Sequence, residues 1–557
     1  MRRLLLLTLT TIAALCCAQA AGARVLRVGT YHGIKGQYSS ISAAVKAAKP
    51  GDWILIAPGD YKTHSSQTAR TKHPADDFPA AILITKPNIR IRGMNRNRVI
   101  VDGTKAGPPC NHKKADQNFG PKTKGGRAGL NGIMVWKADN VWVQNLTACN
   151  FLGGHGAAGN EIWWNGGADS GGYRKVRIGG WGYLGSYLTA TSTWYDRGNG
   201  GKAAASKAEV SAAEYGIFSS NWSGGTWDHT YASNFNDSGY YIGACGQVCD
   251  QTVNHAWSEW NALGYSGSNS GGRLVIKNSQ FDHNMDGFDT NSQEGDNPPP
   301  QNGACPKGVK PPIKGAVGCW VFFHNYVHDN NTPNVPTAGL AGGGPVGTGM
   351  SISGGRFDTV MDNRFVHNGA WGTIIVPFPG SGPPCTGGTA GPGGQPACIW
   401  DAWGIGVIGN HYSGNGFFGN PTNGDIAVTS TFPDPTDCFH GNTDKKGLTT
   451  TPSNAQKTYP KCNGKTVPPY DSNPQSAQFT EEVACDSTLD LPLAGKAPCS
   501  PSDHYPRTNY KKIHNGLHGL PPARELPTMP NPCQGVPRNP WCPGGSKPHA
   551  VRTGFTG

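Results

Sequence analysis

Long apolar runs are what this chain most lacks. The stretch from Leu4 to Leu15 is the longest. It falls short of the roughly 20 residues that a membrane-spanning helix needs, so no transmembrane span is expected. Charge is also scarce: Asp, Glu, Lys and Arg make up 15% of the 557 residues, against 80 Gly and 44 Pro. That balance suits a turn-dense β protein and leaves little room for long helices. No nucleic-acid-binding motif is found, so a nucleic-acid partner is not expected.

The N-terminus has the layout of a cleaved secretory signal over residues 1–20: Arg2 and Arg3, the apolar run, then Ala18-Gln19-Ala20. Leu15 and Cys16 are poor predecessors for lipid-anchor cleavage, so the product is expected to be soluble and secreted, extracellular or at the cell surface. Fourteen of the sixteen cysteines follow the signal. In an oxidising compartment an even number reads as disulfides. Cys245 and Cys249, Cys305 and Cys319, and Cys385 and Cys398 are spaced to staple loops, and Cys110 and Cys149 to bridge an insertion. Zinc at Cys245 and Cys249 is the weaker alternative, because no second pair has ligand spacing. The six cysteines from Cys438 to Cys542 allow 15 connectivities, and sequence does not choose among them.

The formal net charge is +12. Lys113, Lys114, Lys122, Lys124 and Arg127 cluster, either as a solvated loop or as an attractor for an acidic polymer.

Ile41, Val45 and Ala48 share one face of a short helix that Pro50-Gly51 ends. The strand Trp53-Ile54-Leu55-Ile56 follows, then short alternating strands at Ile82–Ile84, Ile89–Ile91, Val99–Val101 and Val141–Val143. Each is too short to be stable alone. A phrase then recurs in which an apolar residue stands three places before Asn: Phe281–Asn284, Val327–Asn330, Phe365–Asn368 and Tyr412–Asn415, with a degenerate copy at Phe235–Ser238. An upstream Ser279, Asn325, Asn363 or Asn410 accompanies each full copy. Phe235, Trp257 and Phe281 are 22 and 24 residues apart, the length of one coil of a solenoid. Later gaps are longer, so those coils carry loops or some copies are unrecognisable. The apolar residue is expected to point inward, and the Asn to take the left-handed turn and stack as a ladder.

The segment from Ser40 to Tyr61 resembles the N-terminal cap and first coil of pectin-lyase-like proteins. That resemblance implies an all-β fold: a single-stranded right-handed parallel β-helix over residues 24–430, with a short N-terminal capping helix. Residues 431–557, poor in β-branched runs and rich in Cys and Pro, are expected to form an irregular disulfide-stapled segment. A monomer is expected.

Asn284-Met285-Asp286-Gly287-Phe288-Asp289 resembles the Asn-Thr-Asp-Gly-(Ile/Phe)-Asp motif of polygalacturonases, which implies a catalytic carboxylate at Asp286. The family's Asp-Asp pair is absent from the following coil, Gly154-His155-Gly156 precedes the motif, and no Arg-x-Lys follows. Thr226-Trp227-Asp228-His229 is similar to the Trp-Ile-Asp-His segment of pectate lyases with one residue missing. A lyase needs a base plus a cation that acidifies the carbon beside a carboxylate. Lys277, Arg273 and Arg356 are the candidate bases. Asp286, Asp289 and Lys277 are therefore the expected catalytic residues, and Asp286, Asp289 and Glu294 the expected ligands for Ca²⁺. Turn capping is the alternative role for the two aspartates. His283, His328 and His367 read as exposed turn histidines. The aromatics Trp163, Trp164, Trp181, Tyr183, Tyr187, Trp194 and Tyr195 read as loop packing or as sugar-stacking rings.

The expected function is that of a carbohydrate-active lyase or hydrolase on an acidic extracellular polysaccharide. A non-catalytic glycan-binding solenoid and a purely structural secreted protein are the alternatives.

Overall fold

Strands of three or four residues bury too little apolar surface to be stable singly, and in this chain they gain stability by stacking. The computed structural model describes residues 23–545 except 64–65, 71–76, 125, 155–158, 168–178, 197–210, 246–248, 294–300, 338–339, 381–387, 391–397, 431–435, 460–461, 463–473, 487–503 and 507–523. The expected signal lies outside the described residues. A typical rung gives two strands to a 19-stranded sheet and one to a 12-stranded sheet. In one rung these are Val275–Lys277, Gln280–Asp282 and Asp289–Asn291. In the next they are Trp320–Phe323, Tyr326–His328 and Thr348–Ser353. Pairing between rungs is parallel and in register, so Phe281, Val327, Phe365 and Tyr412 fall in one inward column. Aromatic rings stack inside it and beside it: Tyr265 on Phe288 at 4.2 Å, and Phe365 on Tyr412 at 5.2 Å.

Two corners bend each rung of the long sheet. At the first, Asn278, His324, Asp362, Gly409 and Gly441 have positive φ. At the second, Trp260, His283, Asp329, His367 and Gly414 do. The residue after each is a ladder residue. This corrects the expectation that the ladder Asn itself takes the left-handed backbone: its predecessor turns the chain, which aims the Asn amide along the stack. Asn284 donates its backbone N–H and its Nδ2 to Asn330 Oδ1 at 3.1 and 3.0 Å. Asn330 does the same to Asn368, and Asn368 to Asn415. A parallel ladder joins Asn325, Asn363, Asn410 and Asn442. Asn284, Asn330 and Asn368 bond each other directly, so the long gaps between copies are loops on consecutive rungs and no coil is missing.

The helix Ile41–Ala47 is capped by Ser40 Oγ, which accepts the Ala43 N–H at 3.2 Å. It buries Ile41, Ala44 and Val45 over the first rung, closing an edge that would otherwise pair with another chain. One rung lies beyond residue 430, with strands Cys438–His440, Thr443–Asp444 and Thr450–Thr451. From Arg524 onward the tail runs back along the long sheet. Leu526 pairs with Asn97, Arg92 donates to the carbonyls of Pro532 and Gln534, and Val536, Trp541 and Cys542 pack on Trp53, Leu55 and Met94.

Disulfides join Cys110–Cys149, Cys245–Cys249, Cys305–Cys319, Cys438–Cys462 and Cys533–Cys542. The Cys245 and Cys249 thiols are thus not zinc ligands. Cys398 is also disulfide-bonded; Cys385 lies outside the described residues.

Asn330→Ala should strip two buried donors of Asn284 of their acceptor and lower stability by about 2–4 kcal/mol, read by denaturant unfolding. An exposed substitution such as Lys307→Ala should change it by less than about 0.5 kcal/mol. Burial pushes the Asp358 carboxyl up to about 8, so the fold holds it protonated where the unfolded chain ionises it. Its contribution is therefore an increasing penalty as pH rises from the ordinary carboxylate range to about 8. Asp358→Asn should raise the unfolding temperature more at pH 8 than at pH 5.

Candidate functional site

The structure separates the residues that the sequence motif suggested. Lys277 stands on the long sheet between Asn254 and Phe323. Asp289 lies on the 12-stranded sheet, and Asp286 bridges to Leu263 and Thr348 beside it. Lys277 and the aspartates therefore do not share a face. Asp286 is 1% exposed and its Oδ1 accepts the Phe288 N–H at 3.2 Å, the geometry of a turn cap. Burial, with Asp289 and Asp486 nearby, raises its pKa well above the carboxylate range. Asp289 accepts from Asn291, Ser351 and Ser353 and is also shifted upward by burial. Asp286 caps its own turn and Asp289 already accepts three donors, which leaves few of the several open oxygens that Ca²⁺ takes. Glu294, the third expected ligand, lies outside the described residues. Arg273 pairs with Asp250, and Arg356 lies over the Trp403 ring.

Trp164, Tyr183 and Trp194 belong to the core. Trp163 stacks on Phe218 at 4.7 Å on an outer face. The basic residues Lys113, Lys114, Lys122, Lys124 and Arg127 are exposed. His155 lies outside the described residues.

A denser array of chemical groups stands on the outward side of the strands between the two corners. Register places Glu259, Asp282 and His328 in one column. The left-handed second corner throws Trp260, His283, Asp329 and His367 into the column beside it. Glu259 and Asp282 are almost completely buried, at 0% and 2%. Glu259 accepts Tyr231 Oη at 2.6 Å and a forked pair from Arg524 at 2.8 and 3.0 Å. Asp282 accepts Trp257 Nε1 at 2.7 Å and Gln280 Nε2 at 2.9 Å on one oxygen, and faces His283 Nδ1 at 2.6 Å with the other. Both carboxylates are therefore saturated with donors.

The imidazoles are not. His283 is 40% exposed, with Asp282 behind it and Trp260 stacked on its ring at 4.9 Å. The hydrogen bond to Asp282, reinforced by the charges of Asp329 and Glu259, raises its pKa above the usual histidine value against the opposing effect of burial. His328 Nδ1 lies 2.7 Å from Asp329, and its Nε2, 3.9 Å from Asp282, has no hydrogen-bond partner. Tyr326 stacks on His328 at 3.9 Å, and Arg364 covers Tyr326. His367 Nδ1 is 3.6 Å from the other oxygen of Asp329. The strip thus carries two aspartate-backed imidazoles with ring centroids 6.2 Å apart, flanked by a half-exposed guanidinium. Such a set can give and take protons beside a bound anion.

The reading of these histidines as exposed turn residues holds for His283 and His367, whereas His328 ends a strand and is 12% exposed, and the reading misses that set. The signal that reveals it is an Asp next to each His in the ladder phrase: Asp282-His283 and His328-Asp329. Glu259 and Arg524 have no comparable signal.

No protein-family model matches this chain, and no curated protein matches it in sequence. Among solved structures, the A-module of Azotobacter vinelandii mannuronan C-5 epimerase AlgE4 is similar over 73% of this chain and 90% of its own, at 10% identity and a TM-score of 0.39. Pectate lyase Pel9A is similar over 77% and 78%, at 12% identity and 0.34. The alginate lyase of Paenibacillus sp. str. FPU-7 is similar over 77% and 97%, at 12% identity and 0.35. At such identities the likeness is one of architecture alone. By its own rungs, corners and amide ladders, the chain is a right-handed parallel β-helix.

Proposed function

We propose that this chain is a secreted carbohydrate-active protein that cleaves an acidic polysaccharide by proton abstraction beside a sugar carboxylate. The observation that carries the reading is the division of labour on the outward strip: buried, donor-saturated carboxylates behind, and partly exposed imidazoles in front. A glycoside hydrolase needs one carboxyl free to protonate the leaving oxygen and a second free to act as base or nucleophile. Glu259 and Asp282 have no such freedom. An imidazole held by a carboxylate at one nitrogen presents the other to substrate, which is the arrangement of a general base. In this reaction His283 removes the proton from the carbon next to the carboxylate. The electron pair forms a double bond to the neighbouring ring carbon, the bond from that carbon to the linkage oxygen breaks, and the leaving oxygen takes a proton from water while His283 returns its own to solvent. Arg524, half-exposed while its fork holds Glu259, is the cation placed to attract the sugar carboxylate. Five disulfides among the described residues suit an oxidising compartment.

The test is a panel of uronic-acid polysaccharides with the full-length protein, read by absorbance of unsaturated ends and by reducing sugar. Unsaturated ends are expected. Reducing ends without absorbance would replace elimination by hydrolysis, and binding with neither signal would make the protein a glycan-binding solenoid. His283→Asn, which keeps a residue tolerant of the left-handed backbone, should lower the rate by roughly 10²–10⁴-fold with an unchanged unfolding temperature. Arg524→Gln should raise KM more than it lowers kcat.

The pH profile gives a further check. A base works only when neutral, and His283 has a raised pKa, so the acidic limb should lie above the ordinary histidine value. Asp282→Asn removes the group that raises it and should move that limb to lower pH.

A further inference from the structure

The Asp228-His229 pair serves no purpose in the acid–base strip and sits at the first corner, on rungs nearer the N-terminus. The strand Gly225–Ser233 pairs in register with Gln251–Glu259, which sets Asp228 beside Asn254. His229 and His255 therefore take the same corner position on adjacent rungs, both left-handed with φ of 54° and 50°. Their ring centroids are 4.6 Å apart. His229 Nδ1 lies 2.8 Å from one oxygen of Asp228, and His255 Nδ1 lies 3.3 Å from the other. One ligand atom from each of the three residues is within 4.8 Å of the other two.

The set is open and braced at once. The side chains are 31–47% exposed, so an ion can reach them. Tyr187 lies flat on His229 at 4.9 Å. Asn254 donates to Asp228 at 2.7 Å, and Asn278 on the next rung donates to Asn254 at 2.9 Å. The two oxygens of Asp228 are thus held between both histidines and Asn254. The carboxylates of the acid–base strip differ in being almost completely buried, whereas that of Asp228 is 31% exposed.

We propose that Asp228, His229 and His255 form a binding site for a divalent transition ion of the zinc, copper or nickel class, which staples two rungs and leaves further positions to water. Two imidazoles and one carboxylate select these ions over Ca²⁺ or Mg²⁺, which prefer all-oxygen shells. The ion takes the place of the contact between His229 Nδ1 and Asp228, with the ring proton carried on Nε2.

The experiment uses chelator-treated full-length protein titrated with Zn²⁺ by calorimetry, and with Cu²⁺ by electron paramagnetic resonance. One equivalent of Zn²⁺ should bind, and two imidazole nitrogens should couple to Cu²⁺. His229→Asn and His255→Asn, both tolerant of the corner backbone, should each weaken Zn²⁺ at least about tenfold and leave one coupled nitrogen. His283→Asn should bind as the unaltered protein does. Absence of binding would overturn the proposal. So would unchanged affinity in His255→Asn, or loss in His283→Asn alone, which would move the ion to Glu259, Asp282 and His283. The copper spectrum of the unaltered protein tests the proposal even if a variant fails to fold.

Discussion

Side-chain amides stacked rung on rung are the interaction on which this molecule depends. The interior is narrow, and at each corner the backbone leaves the sheet ladder with N–H and carbonyl groups to satisfy. The ladder asparagines supply both partners. In Asn330, the oxygen takes the backbone and side-chain N–H groups of Asn284, and the nitrogen gives to the Phe281 carbonyl and to Asn368. Each amide is thus complete only when a rung lies on either side. That makes the stack cooperative and locks register, since a shift by one residue would turn every inward side chain outward.

The same corners create the functional surface. A left-handed residue must precede each ladder Asn, and its side chain then points away from the core. Where the solenoid needs only a turn, glycine serves, as at Gly409, Gly414 and Gly441. Where His, Asp or Trp stands instead, the backbone carries a steric cost of order 1–3 kcal/mol. His229 and His255 at the first corner, and Trp260, His283, Asp329 and His367 at the second, are of this kind. They fall on neighbouring rungs, so chemical groups far apart in the chain come within ligand or proton-transfer distance of one another.

The tail completes the strip from outside the repeat. Its part from Arg524 onward lies over the N-terminal rungs and begins, toward the middle of the solenoid, at the forked pair between Arg524 and Glu259. The chain's own C-terminal segment therefore places a cation on Glu259, in the column beside the aspartate-backed imidazoles.

Sequence alone determined the solenoid, its capping helix, the inward apolar column and the lining-up of Asn284, Asn330, Asn368 and Asn415. These are legible because they obey a local period: an apolar residue, a turn and an amide return once per coil. Three of the loop disulfides were legible for the same local reason. The left-handed role of the residue before each Asn was not, because the pattern marks a corner without saying which of two adjacent residues turns it. Asp286 and Asp289 look catalytic by motif, yet whether a carboxylate faces water or its own turn depends on the rungs above and below. Only the tertiary structure decided that Lys277 lies on another sheet, that Glu259 meets Arg524 across 265 residues, and that Asp228 meets His255. Those meetings depend on the register between coils and on loop lengths, which no single repeat contains.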